Sequence, residues 1–416
     1  LIMNTFVLDN GAYSIKCGYQ NAATPRVCPN SVVKAKNEKR RPFIGNQIEE
    51  CRDTSGLYFM LPYQKGYLVN IDTQKSVWDY LFGPGELDTS FEDVNLLITE
   101  PYFNFDSIQD ALAEVFFEDY DCIAYCKVNA GDLSVYNYHA TVNPGSDHCL
   151  LVDSGYSFTH IVPYFRHQAM TDLIRRIDVG GKLLTNHLKE VISYRQLNVM
   201  EEGFLINQVK EETCFVSLDF QNDLDICRLG YPENTISRDY VLPDYSNISH
   251  GYVKSQQDST GVAGNNEQII KMNHERFTVP ELLFHPSDIG ISQMGIAEGI
   301  YHVIEQCPDF TRPFYYENIL LTGGCCKFPN FKERVYQDLR KLVPEHINIR
   351  IELPEDCDTF AWHGGKVFCA SEDFQDCLIS RKDYEEYGIC VSNERNAKGD
   401  SSDDGESIGS GSDLSE

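Results

Sequence analysis

The sequence predicts a two-lobed α/β fold with a central cleft. The first observation behind this is one hairpin written twice. Phe6–Asp9 is an apolar strand, Asn10-Gly11 a turn dipeptide and Ser14–Tyr19 an alternating return strand. The pattern recurs as Leu150-Leu151-Val152-Asp153, then Ser154-Gly155, then Phe158–Val162. The second observation is a repeated strand, Gly-Gly, helix unit. Ile177-Asp178-Val179-Gly180-Gly181 leads into 182–194, and Ile319–Thr322 with Gly323-Gly324 leads into 331–342. At 416 residues the chain can form two lobes of roughly 150–200 residues, each with its own core.

From the N-terminus, Met3-Asn4-Thr5-Phe6-Val7-Leu8-Asp9 begins a strand and not a signal peptide, with Met3 the expected initiator. The segment Lys34-Ala35-Lys36-Asn37-Glu38-Lys39-Arg40-Arg41 is basic. It is either a solvated loop or a contact for DNA phosphates or an acidic partner, through Lys34, Lys36, Lys39, Arg40 and Arg41. Helices are expected over 72–82, with Asp72 as N-cap, and over 107–117. In 182–194, Leu183, Leu184, His187, Leu188, Val191 and Ile192 share one helical face; in 331–342, Val335, Leu339 and Leu342 do. Residues 244–272 are rich in Ser, Gly, Asn and Gln and read as an inserted surface loop. Residues 392–416 form an acidic Ser/Gly/Asp tail expected to be disordered.

The net charge of −28 excludes a general DNA binder, because such affinity rests on cations against phosphate. Plain solubility or basic partners, histones among them, fit the charge. The 15 cysteines include no CxxC pair, which argues against zinc and thioredoxin-like sites, so no metal site is expected. Their abundance favours a reducing compartment over secretion, and makes the sequon Asn247-Ile248-Ser249 a chance match. No run approaches the ~18 apolar residues of a membrane span, and no membrane partner is expected.

A hairpin turn carrying Asp and Gly brings backbone N–H groups close to phosphate oxygens, and the Asp can orient waters on Mg²⁺. Glycine ahead of a helix N-terminus favours anions. Here the motifs become specific. Leu8-Asp9-Asn10-Gly11 with Lys16 and Gly18 resembles the first phosphate loop of actins, and Val152-Asp153-Ser154-Gly155 with Thr159-His160 the second. Leu321-Thr322-Gly323-Gly324 with Phe328-Pro329 resembles their adenosine motif, and Trp362-His363-Gly364-Gly365 their late Trp-x-Gly-Gly signature. Gly66–Asn70 through Trp78, and Glu275-Arg276-Phe277 through Pro280–Phe284, are also actin-like; generic sugar kinases and chaperone ATPases lack these two. Ile98–Phe105, Val128–Gly131, Asp153–His160, Gly180–Leu188 and Lys210-Glu211 resemble one branch of the actin-related proteins.

The resemblance runs from about residue 4 to about 390. It implies the actin-like fold that sugar kinases and chaperone ATPases share, with a nucleotide cleft. The first lobe would span 4–152, with a small outer subdomain at about 20–60. The second would span 153–365, and 366–391 would return to the first lobe. Carried over, the nucleotide-contact positions are Asp9, Gly11, Lys16, Asp153, Gly155, Gly181, Lys210, Glu211, Gly323, Gly324 and Phe328. Asp9 and Asp153 have the alternative of capping their own turns, and His160 that of a hydrogen-bonded strand residue. Several positions depart from the family. Ala12-Tyr13 stands for a small Ser-Gly pair, and Tyr156-Ser157 for Asp-Gly. Asn129 stands for the water-orienting Gln, and Asp358 for a Lys near the base. A bulky residue for Gly removes the close backbone approach. Hydrolysis is therefore not expected and no catalytic residue is assigned; ATP with Mg²⁺ becomes a weak, dispensable occupant. The branch resemblance implies a nuclear and nucleolar subunit, with a cytoplasmic pool as a further option, of a histone-variant-exchanging remodeller of the Swr/SRCAP type. It also implies contacts with the remodeller ATPase, heterochromatin protein 1 and the nucleosome. A cytoskeletal, ATP-binding filament or filament-capping protein is the alternative.

Overall fold

The computed structural model describes residues 4–36, 41–51, 53–230, 232–246, 248–254 and 267–388. Both hairpins form. Thr5–Asn10 pairs antiparallel with Ser14–Tyr19, placing Asp9 opposite Lys16. His148–Ser154 pairs antiparallel with Thr159–Phe165, placing Asp153 opposite His160. The first strand of each hairpin then continues as a parallel ladder. Thr5–Asn10 lies beside Asn95–Glu100, which lies beside Ala124–Asn129. His148–Ser154 lies beside Ile319–Thr322, which lies beside Ile351–Glu352. Each arrangement centres a six-stranded sheet. The parallel strands are covered on both faces, and this is why Leu96-Leu97-Ile98, Leu150-Leu151-Val152 and Ile319-Leu320-Leu321 read as unbroken apolar runs.

Helices Ala130–Thr141 and Phe360–Phe368 join the two halves. Val135 and Tyr138 pack with Leu151, Val162 and Leu320 of the second sheet. Leu133 and Tyr136 pack with Val7 and Leu97 of the first, together with Trp362. A helix buried on two sides loses a single apolar stripe. The Trp-His-Gly-Gly signature acquires its reason here. A Cβ on Gly364 would lie 1.7 Å from the Leu133 carbonyl oxygen, so only glycine lets these helices touch. The strand Ile379–Ser380 adds antiparallel to Ala124–Tyr125, returning the chain to the first sheet.

The outer region is a small sheet in which Val32–Lys34 pairs with Phe43–Ile44 and Tyr58–Met60. Val33, Ala35, Phe43, Ile48, Cys51 and Leu57 form its own core. Helix Ile71–Phe82 begins one residue earlier than expected. Its cap is Asn70, whose Oδ1 accepts from Thr73 N at 2.9 Å, while Asp72 sits in the first turn near the helix dipole. The next helix is Asp106–Glu114, extended by a wider turn over Val115–Asp119. Gly181–Arg195 buries Leu184, Leu188 and Ile192, with Leu183, His187 and Val191 half-buried at its flanks. Phe331–Leu342 forms as expected. It is tied to Glu275–Glu281 by Arg334, which donates to Glu281 at 2.9 and 2.6 Å.

The reading of 244–272 as loop throughout needs correction. Tyr252–Val253 and Ile269–Met272 both pair antiparallel with Arg238–Val241. A two-residue strand shows no period, and the other is short enough to pass as loop. Residues 255–266, Met3, Lys39, Arg40 and the tail 392–416 lie outside the described residues. Among the described residues, no helix is long and apolar enough to cross a membrane.

Candidate functional site

Both hairpin turns and both Gly-Gly turns converge on one cleft of about 1200 Å³ between the lobes. At its floor, Asp9 Oδ1 accepts from Thr99 Oγ1 at 2.9 Å, and Thr99 Oγ1 in turn accepts from Asn10 N at 2.9 Å. Asp9 is thus held by the neighbouring parallel strand and not by its own turn. Lys16 Nζ stands 3.8 Å from Asp9 Oδ2. Asp153 enters from the second lobe. Burial pushes its carboxyl up to about 6, the Asp9 charge adds to this, and Lys16 opposes it. The two hairpins therefore bring two acidic side chains and one ammonium to the same end of the cleft.

The glycines divide by role. Gly323 has φ +93°, and a Cβ there would meet Ser154 O at 2.4 Å and Asp153 Oδ1 at 2.8 Å. Glycine is required for the strand Ile319–Thr322 to turn against the second hairpin. Gly324 opens onto empty space, while Gly155 and Gly181 have ordinary contacts beyond 3.5 Å. A Cβ on Gly11 would crowd the Ser14 carbonyl oxygen at 2.7 Å. The sequence reading passed over Gly180. A Cβ there would lie 2.7 Å from Phe158 N and Tyr156 O, so the first glycine of the pair is the constrained one.

The adenosine-side residues are not all turned to the cleft. Lys210 Nζ donates to Gly181 O at 3.1 Å, Thr185 Oγ1 at 2.9 Å and Asn207 Oδ1 at 2.9 Å. An ammonium has three donors, so this one is saturated inside its own lobe. Its burial lowers its pKa. Glu211 accepts from Asn207 Nδ2 at 2.8 Å. Phe328 lines the cleft, but only 8% of it is exposed. Asp358 is held below the usual carboxylate range, its burial outweighed by a hydrogen bond from Lys327 at 2.7 Å.

At the phosphate end the two departures from the family meet. The Tyr13 and Tyr156 rings lie 5.1 Å apart at 37°. Asn207 Nδ2 also donates to Tyr13 Oη at 3.1 Å, so a first-lobe turn is bonded to a second-lobe helix. Partial burial, with Glu211 nearby, pushes the Tyr13 phenol up, while 48% of the residue stays exposed in the cleft. A terminal phosphate needs close backbone N–H groups here, and the aromatic pair does not fit that requirement.

Beside it lies a network that sequence spacing did not signal. Tyr164 Oη donates to Asp132 Oδ1 at 2.6 Å and shares a 2.5 Å bond with Tyr102. Burial raises the Asp132 carboxyl to about 6, against hydrogen bonds from Tyr164 and Asn129. Asn129 stands at the N-cap of Ala130–Thr141, and its buried Oδ1 has no hydrogen-bond partner. His160 is 1% exposed, and its Nε2 has no hydrogen-bond partner. Burial, and then Arg176, lowers its imidazole to about 3, so it stays neutral. The hydrogen-bonded alternative for His160 does not hold at Nε2.

The outer mouth is bridged as well. Lys36 Nζ reaches Glu201 at 2.5 Å, Gly56 N donates to Glu202 Oε1 at 3.0 Å, and Thr54 shares a 2.9 Å bond with Tyr245. Phe59 stacks on Phe204 at 6.1 Å and 19°. The basic segment is thus partly committed within the chain. Lys36 pairs across the mouth, Arg41 pairs with Glu50, and Lys34 is exposed at a strand end.

The actin family profile matches residues 2–396. Actin-related protein 6 of Drosophila melanogaster is 45% identical over 94% of this chain and 98% of its own length. Actin-related protein 6 of Arabidopsis thaliana is 37% identical, covering 92% and 97%. Actin-like protein ARP6 of Cryptococcus neoformans is 37% identical, covering 92% and 82%.

Proposed function

The chain belongs to the actin family, and from that premise we propose that this actin-related protein is a non-catalytic scaffold subunit of a nuclear, histone-variant-exchanging remodeller. The contact of Tyr13 with Tyr156 and Asn207 is the observation that carries the non-catalytic half. It sets two aromatic side chains at the phosphate end and bonds one lobe to the other there. Lys210 spends its donors internally, and Asn129 is one methylene shorter than the family's Gln, where misplacement by about 1 Å can cost on the order of 100-fold. ATP with Mg²⁺ is not required in this reading; a weakly held nucleotide would only add closure by mass action.

The nuclear half is supported by the family resemblance of 98–105, 153–160 and 180–188. In this role the chain docks on the remodeller ATPase in a Swr/SRCAP-type complex. It meets the nucleosome and heterochromatin protein 1 there, and works in nucleolar and silenced chromatin. Lys34, Lys36, Lys39, Arg40 and Arg41 are its candidate DNA contacts, and Lys36 would first have to leave Glu201.

Two measurements test the reading. Purified protein should release no phosphate at steady state above background; turnover abolished by Asp153→Asn would overturn the non-catalytic half. Affinity purification from nuclei should recover the remodeller ATPase subunit. Recovery instead as filaments, pelleting in polymerising salt, would favour the cytoskeletal alternative.

A further inference from the structure

The loop between strand Asn95–Glu100 and helix Asp106–Glu114, whose first residues Pro101 and Tyr102 line the cleft, places large apolar side chains in solvent beyond it. Phe103 is 62% exposed, Phe105 58% and Val69, on the adjoining turn, 59%. The Phe105 ring meets Tyr67 edge-on at 5.1 Å. Leu68 is buried, so its neighbours Tyr67 and Val69 share the outward side by strand alternation.

The loop is held rigidly. Asn104 Nδ2 donates to Glu100 Oε2 at 3.0 Å, and Gln109 Nε2 donates to the same carboxylate at 2.9 and 3.0 Å. The Phe105 carbonyl accepts from Ile108 N and Gln109 N. Phe103 itself has φ +55°, a conformation that costs free energy for a bulky side chain. The fold thus holds an aromatic pair outward against both burial and backbone preference. Rigid, exposed aromatics anchor an interface at small entropic cost.

The surface beside the patch names the chemistry of its occupant. Asp106, Asp110 and Glu114 recur every four residues on the helix that leaves the loop, and all are exposed. That spacing puts them on one face. No ion pair engages them among the described residues. Lys75 is paired with Asp119 at 2.5 Å and Arg176 with Asp178 at 2.9 Å, while Lys127 donates to the neutral Gln109 of this helix at 2.6 Å. A second copy would bring the same uncompensated acids and be repelled.

We propose that Tyr67, Val69, Phe103 and Phe105, with the acidic face of helix Asp106–Glu114, form a docking surface for a basic segment of a partner protein. That segment inserts a large apolar side chain between the phenylalanines and lays Lys or Arg along the acids. The proposal needs a protein partner, and stands whether or not the assembly is a chromatin remodeller.

The test places a photo-crosslinking benzophenone side chain at Phe103 or Phe105 in the full chain, within its native assembly. Crosslinks should concentrate on one partner segment of net positive charge with a large apolar residue. The variant Asp106→Lys, Asp110→Lys, Glu114→Lys should reduce that crosslink and the partner's co-purification at least tenfold, with an unchanged thermal midpoint. Phe103→Ser with Phe105→Ser should have the same effect on retention. Crosslinks to an acidic or uncharged segment, to lipid or to a second copy would overturn the proposal. So would no crosslink from either position, or full retention after charge reversal.

Discussion

His160 shows how its surroundings set the charge state of a buried residue. It lies between Tyr102 at 5.1 Å and Phe158 at 4.3 Å, buried with an unpartnered Nε2. Its folded pKa falls to about 3 against 6.5 in the unfolded chain. Between those values the unfolded state binds the extra proton, so His160 removes stability as pH falls through about 6.5. The slope is at most about 1.4 kcal/mol per pH unit. Asp153 and Asp132 act oppositely. With folded values near 6, above the unfolded value of 3.8, they are protonated first in the native state, and stability falls as pH rises through that window. His160→Gln should therefore be less stable than the parent at pH 7.5 and gain on it steadily towards pH 5. Denaturant midpoints measured across that range check this; parallel curves would mean His160 is not neutral in the fold.

Among elements, the paired helices Ala130–Thr141 and Phe360–Phe368 decide how the lobes meet. Each sheet sends side chains to one side of the first helix. The second can approach because Gly364 has no side chain to place against Leu133 O. Gly364→Ala must push the helices apart, and overpacking of this kind costs about 1–3 kcal/mol. Gly324→Ala adds its methyl group to open space and serves as the control. Equilibrium denaturation should separate the two variants by that amount. Equal stabilities would show that the helix contact yields without cost.

For the whole molecule, the cleft is bridged by side chains at two levels. Tyr13, Tyr156 and Asn207 join the lobes at the phosphate end, and Glu201, Glu202, Phe204 and Tyr245 meet the outer sheet at the mouth. The stacked phenylalanine pair contributes about 0.5–1.5 kcal/mol beyond its burial. The exposed Lys36–Glu201 pair lends little. Glu202→Ala with Phe204→Ala should increase the radius of gyration in small-angle scattering and speed proteolysis of the outer region, while each lobe stays folded. Unchanged scattering would place closure at the phosphate end alone.

The duplicated hairpin, its Asp and Gly, the helices at 181–195 and 331–342, and the glycine signatures were legible in the sequence. The hairpins and helices rest on interactions within a few residues, an apolar period or a turn dipeptide; the glycine signatures were legible only as motifs, since Gly323 is confined by Ser154 and Gly364 by Leu133, far along the chain. The helix start at 71–82 was legible to within a residue, because Asn70 and Asp72 are both good first-turn residues and only the hydrogen bond to Thr73 N distinguishes them. The departures at Tyr13 and Tyr156 could be read as bulk in the wrong place. That they touch, and that Asn207 bonds Tyr13 while holding Lys210 and Glu211, could not, because those residues come from separate elements and lobes. The strands within 244–272 are equally non-local, since a short strand is defined by Arg238–Val241 beside it. The sequence by itself determined the fold and where its cleft lies. Only the tertiary structure decided which side chains bridge that cleft, because which donors remain free for a ligand depends on partners that no local pattern encodes.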